Sequence, residues 1–371
     1  MAKLIETSLG AAAGSTVQVT PDLVIVNDGP SHKAIEGVTK IACPENVVIY
    51  YDHDVPAGTP ETSRIFAELL AFSRAHSVKL VQAEGVGYLH LLDTAVKPGM
   101  VIVGGGEHAS IFGAKGALGV NLSVDALRAV IETGSMEITV PETVRVKVEG
   151  ELKPGVTMLD AALQSLSVCA GEGKAVEFVC DTLSEHEKTV LCAVAGIRGA
   201  AAVFAAKGGE TSVTLNLAQV EPMVMLPCGE RSEQAKAEIA PLESVKGMHV
   251  DAGQIGGYTG GTIEDMRLAA KLLEGKTLKR RFRLCVCPAT SKDYLLAIQE
   301  GLIEQFILFG AQIQAVGDRS VVSQGAGTVD EQETLMTTGL YTFDGCMGVK
   351  GSKVLCASVE SVIAAATTGS I

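Results

Sequence analysis

The sequence contains no tryptophan, and aromatic residues make up only 4% of its 371 residues. Aliphatic side chains compensate, because hydrophobic residues as a whole account for 47% of the chain and can fill a large core. No stretch approaches the ~20 apolar residues that a membrane-spanning helix needs. The first residues also lack the basic and apolar regions of a signal peptide. We therefore expect a compact cytoplasmic protein with no membrane partner.

Basic residues and paired cysteines are also scarce. The chain has 30 lysines and arginines against 43 acidic residues, which gives a formal net charge of -13. This charge repels the phosphate backbone of nucleic acids, so we expect no nucleic-acid partner. The nine cysteines are scattered, without a Cys-x-x-Cys pair. Free thiols in a reducing compartment are therefore favoured over a disulfide framework.

The pattern of apolar residues predicts alternating strands and helices. Residues 47–51 form an apolar run typical of a buried strand, and residues 60–76 carry apolar side chains at helical spacing. This alternation indicates an α/β protein with parallel sheets flanked by helices. Changes of pattern divide the chain into three predicted α/β domains, residues 1–135, 136–240 and 241–371. The tail, residues 354–371, predicts a closing strand and helix with a loose end.

Two carboxylates and an imidazole follow the predicted strand at residues 47–51, in the sequence Asp52-His53-Asp54. Open α/β sheets bind ligands at the carboxyl ends of their strands, and such a trio suits acid-base work or metal binding. A solvated loop that caps the helix beginning near Pro60 explains the same residues equally well.

A second candidate is the segment Val101-Ile-Val-Gly-Gly-Gly-Glu-His108, whose glycines let a backbone approach a ligand while Glu107 and His108 project from the loop. The glycines also match a dinucleotide-binding fingerprint, with Asp125 near the spacing of a ribose ligand. Gly113, Gly116 and Gly119 speak against this alternative, because they would weaken the helix that must hold the pyrophosphate.

The third candidate is the glycine-rich segment 256–262, Gly-Gly-Tyr-Thr-Gly-Gly-Thr, which precedes a predicted helix. Thr262 and Asp265 have the spacing of a capping box, and free backbone amides there could hold a carboxylate. An ordinary strand-to-helix turn is the simpler explanation. His90, taken singly, is more typical of a hydrogen-bonded core histidine than of a functional one.

Four motifs in sequence order resemble successive motifs of aconitases and isopropylmalate dehydratase large subunits. They are Tyr51-Asp-His-Asp-Val-Pro56, Gly85-Val-Gly-Tyr-Leu-His90, Lys97-Pro-Gly-Met-Val-Ile-Val103 and Gly106-Glu-His-Ala-Ser110. Residues 144–156 are similar to the family's linker into its second domain, and residues 256–265 to its Gly-Ser-Cys-Thr-Asn-Gly turn. The resemblance covers most of the chain and implies a three-domain aconitase-like fold.

In that family, three cysteines hold a four-iron four-sulfur cluster, which acts as a Lewis acid on the substrate hydroxyl. Here Tyr258 stands in the place of the first cluster cysteine, and residues 317–324 contain no Cys-x-x-Cys. Gly106-Glu107-His108 replaces the family's Asp-Ser-His. We therefore expect that this cluster is absent.

Further departures affect the residues that bind substrate in the family. Ala193 and Ile197 stand for an asparagine and a glutamate of the second domain, and Tyr341 and Cys346 stand for two carboxylate-binding arginines. Small dicarboxylates are therefore doubtful substrates. The resemblance and the loops leave two sets of site residues: catalytic candidates Asp52, His53, His90, Glu107 and His108, and substrate-binding candidates Asp28, Gly105, Gly106, Ser110, Tyr258, Thr259 and Gly260.

The resemblance implies a hydro-lyase or isomerase acting on a small hydroxy acid. In this hypothesis His108 or Glu107 moves a proton, while Asp52 and His53 polarise a hydroxyl group, with a divalent metal as a further option on His53, Glu107 or His108. The alternative is a non-catalytic ligand-binding or scaffold paralogue. Because relatives complete their site with a swivelling small domain, both hypotheses include a separate small-subunit partner.

Overall fold

The computed structural model describes residues 3–169, 173–321 and 325–371, so residues 322–324 of the segment predicted to lack cluster cysteines lie outside the described residues. Three sheets that contain parallel strands are flanked by helices, which confirms the predicted α/β class. Within the described ranges, none of the helices combines the length and apolarity needed to cross a membrane.

The first sheet is parallel and has the strand order β4-β3-β2-β5-β6. Alternate residues of β2 enter two different cores, Ile25 one and Val24 and Val26 the other, so both faces of the strand are buried. A small antiparallel pair is formed by β1, which precedes the strands of this sheet in the sequence, and β7, which follows them. The elements are α1 (Leu4–Leu9), β1 (Thr16–Val19), β2 (Leu23–Asn27), β3 (Val47–Tyr51), α2 (Pro60–His76), β4 (Lys79–Gln82), α3 (Gly87–Thr94), β5 (Val101–Gly105), β6 (Leu118–Leu122), α4 (Val124–Thr133) and β7 (Met136–Thr139).

The second sheet is also parallel, with the order β10-β9-β8-β11. Ser184 caps the start of its helix α6. The Ser184 hydroxyl accepts the Glu187 backbone N–H, and the Glu187 side chain accepts the Ser184 N–H. This capping box satisfies two amides that the helix leaves free. The elements are β8 (Thr143–Glu149), α5 (Met158–Cys169), β9 (Ala175–Val179), α6 (Glu185–Ile197), β10 (Ala202–Ala206) and β11 (Val213–Asn216).

The third sheet has seven strands in the order β13-β12-β18-β17-β14-β15-β16, and it is parallel except at β12 and β13. The predicted capping box of Thr262 and Asp265 is confirmed at the start of α7. The elements are β12 (Met223–Met225), β13 (Ile239–Pro241), β14 (Ala252–Ile255), α7 (Ile263–Leu273), β15 (Arg283–Val286), α8 (Ser291–Gln299), α9 (Leu302–Phe309), β16 (Gln312–Ile313), β17 (Thr334–Thr337), β18 (Lys353–Ala357) and α10 (Val359–Thr368).

One hydrophobic core is continuous across the three sheets. It includes Ile102 of the first sheet, Phe178 of the second sheet and Leu335 of the third sheet. The sheets take their strands from residues 23–122, 143–216 and 223–357, while the domain boundaries at residues 135 and 240 stay a prediction. The predicted strand and helix of the tail are confirmed. The predicted loose end is wrong, because the Ile371 N–H donates to the Met248 carbonyl and the Ile371 carbonyl accepts the Gly247 N–H.

Candidate active site

The site begins where two neighbouring strands of the first sheet end. Asp28 follows β2, and Asp52 and His53 follow β3, so the parallel pairing of β2 and β3 brings the three residues to one edge. The Asp28 carboxylate accepts the backbone N–H groups of Asp52 and His53 at 2.9 and 3.0 Å. The loop after β3 is therefore held in place by a side chain that follows the adjacent strand.

His53 is oriented by the two carboxylates beside it. Its Nδ1 lies 2.8 Å from Asp52 Oδ1 and 3.1 Å from Asp28 Oδ1, while Asp52 Oδ2 accepts the Gly87 N–H at 2.7 Å. Burial alone would lower the pKa of His53, but the charges and hydrogen bonds of Asp52 and Asp28 raise that pKa well above its usual value. Burial also raises the pKa of Asp52 to about 6, against the lowering effect of His53.

Asp318, from the loop after β16, closes the other side of this group. Its backbone N–H donates to the Asp52 carbonyl at 2.7 Å, an approach that Gly317 permits because a side chain there would lie 2.5 Å from the same oxygen. Asp318 Oδ1 accepts the backbone N–H groups of Tyr258 and Ser320. Asp318 Oδ2 has no hydrogen-bond partner, although it is buried and lies 3.4 Å from His108 Nε2 and 3.9 Å from His53 Nε2.

His108 lies between the first and third sheets and is 5% exposed. Its ring packs against Tyr258, with 3.9 Å between the ring centroids, and its carbonyl accepts the Tyr258 hydroxyl at 3.0 Å. Burial lowers the pKa of His108 to about 4, although the nearby carboxylates of Asp318 and Glu107 act in the opposite direction. The two histidines therefore have pKa values shifted in opposite directions.

Glu107 lies on the more exposed side of the cluster, with its side chain 33% exposed. Its Oε2 accepts the Tyr341 hydroxyl at 2.6 Å and Arg231 Nη2 at 2.9 Å, and the Tyr341 oxygen lies 3.4 Å from His108 Nε2. The Arg231 guanidinium stacks over the rings of Tyr341 and Phe343. Burial would raise the pKa of Glu107, but Arg231 and Tyr341 lower it overall. Tyr341, which replaces an arginine of the resembled family, therefore lies within the cluster.

His90 is placed apart from this cluster. It lies in α3, and its Nδ1 is 2.7 Å from the Tyr50 hydroxyl oxygen. The structure therefore groups His53 with His108 through Asp318, whereas the contact recorded for His90 is with a strand tyrosine. A catalytic role of His90 stays a prediction.

The glycines at the end of β5 and in the following loop have different surroundings, close packing at one position and open space at the next. A Cβ at Gly105 would lie 2.4 Å from Ser31, whereas Gly106 has a positive φ of 95° and open space near Arg231. Ser110 is buried, with its hydroxyl 3.5 Å from the Glu107 carbonyl. Residues Ala109–Lys115 form a 3-10 helix, so the segment lacks the α-helix start that the dinucleotide fingerprint requires.

Tyr258, Thr259 and Gly260 face two different surroundings. Tyr258 is fully buried against His108. Thr259 and Gly260 line a cavity of about 260 Å³ together with His186, Asp265 and Thr338. Of the predicted substrate-binding residues in this turn, only Tyr258 therefore contacts the histidine cluster directly in the contacts described.

The described side chains do not fit an iron-sulfur cluster held by three cysteines. Such a cluster needs three thiolates gathered at one point, and the described residues contain no three cysteine sulfurs within 4.8 Å of one another. Among the described residues, the three side chains whose metal-binding atoms lie within 4.8 Å of one another are Asp28, Asp52 and His53.

Sequence reasoning missed Asp318, Arg231 and Arg319. Arg319 Nη1 donates to Asp54 Oδ1 and to the His53 carbonyl, both at 3.2 Å, and so ties the loop after β16 to the loop after β3. The signal for two of these residues was available, because the charged Asp318-Arg319 pair lies in the segment 317–324, where the resemblance predicts a Cys-x-x-Cys and finds none. Arg231 lies in a charged loop before β13 and carries no comparable signal.

Comparison with known proteins agrees with the resemblance seen in the motifs. The family model described as the aconitase family (aconitate hydratase) matches residues 3–212 and 210–369. The 3-isopropylmalate dehydratase large subunit 2 of Methanopyrus kandleri is 28% identical, over 97% of this chain and 94% of that protein. The homoaconitase large subunit of Thermus thermophilus is also 28% identical, over 96% of this chain and 92% of that protein.

A solved structure shows that the likeness extends to the fold. The crystal structure of Thermococcus kodakaraensis aconitase X in its holo form superposes with a TM-score of 0.62 at 16% identity. The alignment covers 98% of this chain and 96% of that one. Because the family model spans nearly the whole sequence, the chain belongs to the aconitase family.

Proposed function

We propose that the chain is a hydro-lyase or isomerase that acts on a small hydroxy acid without the family's four-iron four-sulfur cluster. The relatives named above are dehydratase and homoaconitase large subunits, which supports water removal or addition as the reaction class. The observation that carries the proposal is the Tyr341 hydroxyl, which contacts Glu107 at 2.6 Å and lies 3.4 Å from His108. The free thiols described support a reducing, cytoplasmic setting.

In this proposal Glu107 accepts the proton and Tyr341 positions Glu107. Water removal breaks one C–H bond and one C–O bond and forms a C=C bond from the C–H electron pair, while the proton passes to the Glu107 carboxylate. The hydroxyl leaves with the electron pair of its C–O bond and takes a proton from the protonated His53 ring to become water. Tyr341 holds the Glu107 oxygen in place through its 2.6 Å hydrogen bond. The departing hydroxyl would face the ring nitrogens of His53 and His108, whose orientation depends on Asp52 and Asp318.

Arg231 would bind the substrate carboxylate. It is the guanidinium at the outer side of the Glu107–Tyr341 pair, and stacking on Tyr341 and Phe343 fixes its plane. A planar guanidinium offers five N–H donors, and its recorded hydrogen bond to Glu107 uses one of them. One cation in this place, with Tyr341 and Cys346 where the family has arginines, favours a monocarboxylate over a dicarboxylate.

Proton exchange in deuterated water tests this function without knowledge of the complete turnover. A panel of small 2- and 3-hydroxy monocarboxylic acids is incubated with the protein, and loss of the C–H signal is followed by proton nuclear magnetic resonance. We expect Glu107→Gln to slow exchange by about 10²–10⁴-fold, because it removes the proton acceptor but keeps the shape. The matched control is His249→Gln, on an exposed histidine paired with Asp251 far along the chain. Equal exchange in both variants would contradict the assignment.

A separate small subunit is part of the same proposal. The two relatives compared above carry the words large subunit in their names, which implies that those proteins have a second chain. Exchange that appears only after a small-subunit-like protein is added would support this partner.

The second candidate is a non-catalytic ligand-binding or scaffold paralogue. The observation that favours it is burial, since Tyr258 and Tyr341 are both fully buried next to His108 and occupy space there. The two functions differ in the exchange assay. A scaffold gives no exchange with or without the small-subunit-like protein, yet retains its affinity for that protein in the Glu107→Gln variant.

A further inference from the structure

We propose that Lys279, Arg280 and Arg281 bind the phosphate group of a small phosphorylated molecule, at the edge of the third sheet opposite to the candidate active site. These three residues line a cavity of about 540 Å³ where β14 and β15 begin. The candidate active site, in contrast, lies beyond the carboxyl ends of the strands. The second site is argued from this cavity alone and does not rest on the proposed hydro-lyase function.

The two arginines form the tip of a tight turn. The Phe282 N–H donates to the Lys279 carbonyl at 3.0 Å and closes a four-residue turn with Arg280 and Arg281 at its centre. Arg281 has a φ of 71°, in the left-handed region that glycine or asparagine usually occupies at this position of a turn. A residue with a side chain is strained there, and such residues cluster at functional sites. An arginine in a place that suits glycine therefore indicates a use for its side chain.

The turn is anchored to the body of the third sheet on both sides of the arginines. The Phe282 side chain is buried in the core of that sheet. The Lys279 N–H donates to the Ala366 carbonyl of α10 at 2.9 Å, and Gly369 lets the Lys279 side chain pass closely, since a Cβ there would lie 3.3 Å from Lys279 Cγ. A fixed backbone presents the guanidinium groups in one arrangement, which reduces the entropy lost when a ligand binds.

The three cations of this turn are not neutralised within the described part of the chain. Their side chains make no ion pair or hydrogen bond with any described residue, whereas the nearby Arg283 is paired with Glu333 at 2.6 Å. Asp251 also lines the cavity, but its Oδ2 already accepts the Thr334 N–H at 2.9 Å. In a chain with a net charge of -13, three adjacent unpaired cations create a local field that attracts anions.

A phosphate group matches this field better than a carboxylate does. A phosphate monoester carries a charge of about -1.5 to -2 and three acceptor oxygens, and planar guanidinium groups bind such oxygens in pairs. A carboxylate offers one charge to the same three cations. The volume of the cavity lies in the range of about 300–1,000 Å³ that is usual for small-molecule sites. The net charge of the chain repels the repeated phosphates of a nucleic acid, so a small molecule is the favoured occupant.

Isothermal titration calorimetry of the full chain with inorganic pyrophosphate tests the site. We expect one pyrophosphate per chain, and an affinity about a hundredfold lower in the Arg280→Gln/Arg281→Gln variant, because each charge-assisted contact contributes about tenfold. Malonate, a carboxylate probe, should bind at least about tenfold more weakly than pyrophosphate. The matched control is Arg64→Gln/Arg74→Gln, which removes two exposed arginines of α2 and changes the net charge equally. Circular dichroism confirms that each variant is folded.

Arg281→Gly separates binding from stability. Glycine adopts the left-handed conformation without steric cost, so we expect Tm to rise by about 1–2 °C while the affinity for pyrophosphate falls by about tenfold. A lower Tm with unchanged affinity would assign Arg281 a structural role and overturn the proposal. Three calorimetric results would overturn it as well: no pyrophosphate binding by the unmodified protein, an equal loss of affinity in the control variant, or malonate binding as tight as that of pyrophosphate.

Discussion

The loops at the carboxyl ends of the first and third sheets contribute differently to the candidate site. The first sheet provides Asp52, His53 and His108, which lie in the motifs that resemble the family, together with Asp28, which contacts His53. The third sheet provides Tyr258 and Tyr341, which stand where the family has a cluster cysteine and an arginine, and Asp318, from the segment 317–324 that contains no Cys-x-x-Cys. The difference teaches that the loops of the first sheet keep residues of the resembled motifs, whereas the loops of the third sheet carry oxygen-bearing side chains where the resemblance predicts cysteines or an arginine.

The strongest way to break the contact between these two sets of loops is removal of Arg319. Its guanidinium pairs with Asp54 at 3.2 Å, and both side chains are less than 10% exposed. We expect Arg319→Met to lower the free energy of unfolding by about 3–5 kcal/mol, because it leaves a buried carboxylate unpaired. Urea denaturation measures the loss.

A double variant supplies the control for this ion pair. Asp54→Asn combined with Arg319→Met removes both charges and keeps a side-chain oxygen for the Gly58 N–H that Asp54 accepts. The double variant should therefore be more stable than Arg319→Met alone. A double variant of equal or lower stability would mean that Arg319 acts through its contact with the His53 carbonyl instead.

Tyr258→Phe sharpens the comparison at a single oxygen atom. It removes the hydroxyl that donates to the His108 carbonyl at 3.0 Å and keeps the ring that packs on the imidazole. We expect a loss of about 0.5–1.5 kcal/mol in the free energy of unfolding, because one buried hydrogen bond is removed while the carbonyl keeps the Ile111 N–H at 3.3 Å. Tm and urea denaturation measure it. No change in stability would show that water replaces the hydroxyl.

The smallest effect is expected at a surface ion pair of the third sheet, between Arg283 and Glu333 at 2.6 Å. The hydrogen bond from Arg283 lowers the pKa of Glu333 to about 2. A lowered carboxyl pKa adds stability above the unfolded value of about 4.5, and this stability is lost as the pH falls toward 2. Glu333→Gln should therefore reduce the stability lost as the pH falls from about 4.5 toward 2, by about 1 kcal/mol or less. Denaturant midpoints at pH 7, 4 and 3 check it, and an unchanged slope would contradict the pairing.

Local patterns were sufficient for much of the fold. The strand predicted at residues 47–51 is confirmed with its bounds, because a strand buried on both faces leaves a continuous apolar run. The helix predicted at residues 60–76 is confirmed with its bounds too, because a capped amphipathic helix leaves apolar residues at helical spacing. Thr262 and Asp265 carry a capping signal that acts within four residues, and it is confirmed too. The prediction of a loose end for the tail was wrong, because the hydrogen bonds of Ile371 are made to residues 247 and 248, which are distant in sequence.

The sequence by itself determined the α/β class, the family resemblance and the candidates Asp52, His53 and His108, because these depend on periodicity and on motifs within short segments. Only the tertiary structure decided that Asp318 lies between the two histidines, that Arg231 and Tyr341 meet Glu107, and that His90 binds Tyr50. Those contacts join residues separated by 40 to 265 positions along the chain. They depend on how three sheets pack around one core, and no local pattern records that packing.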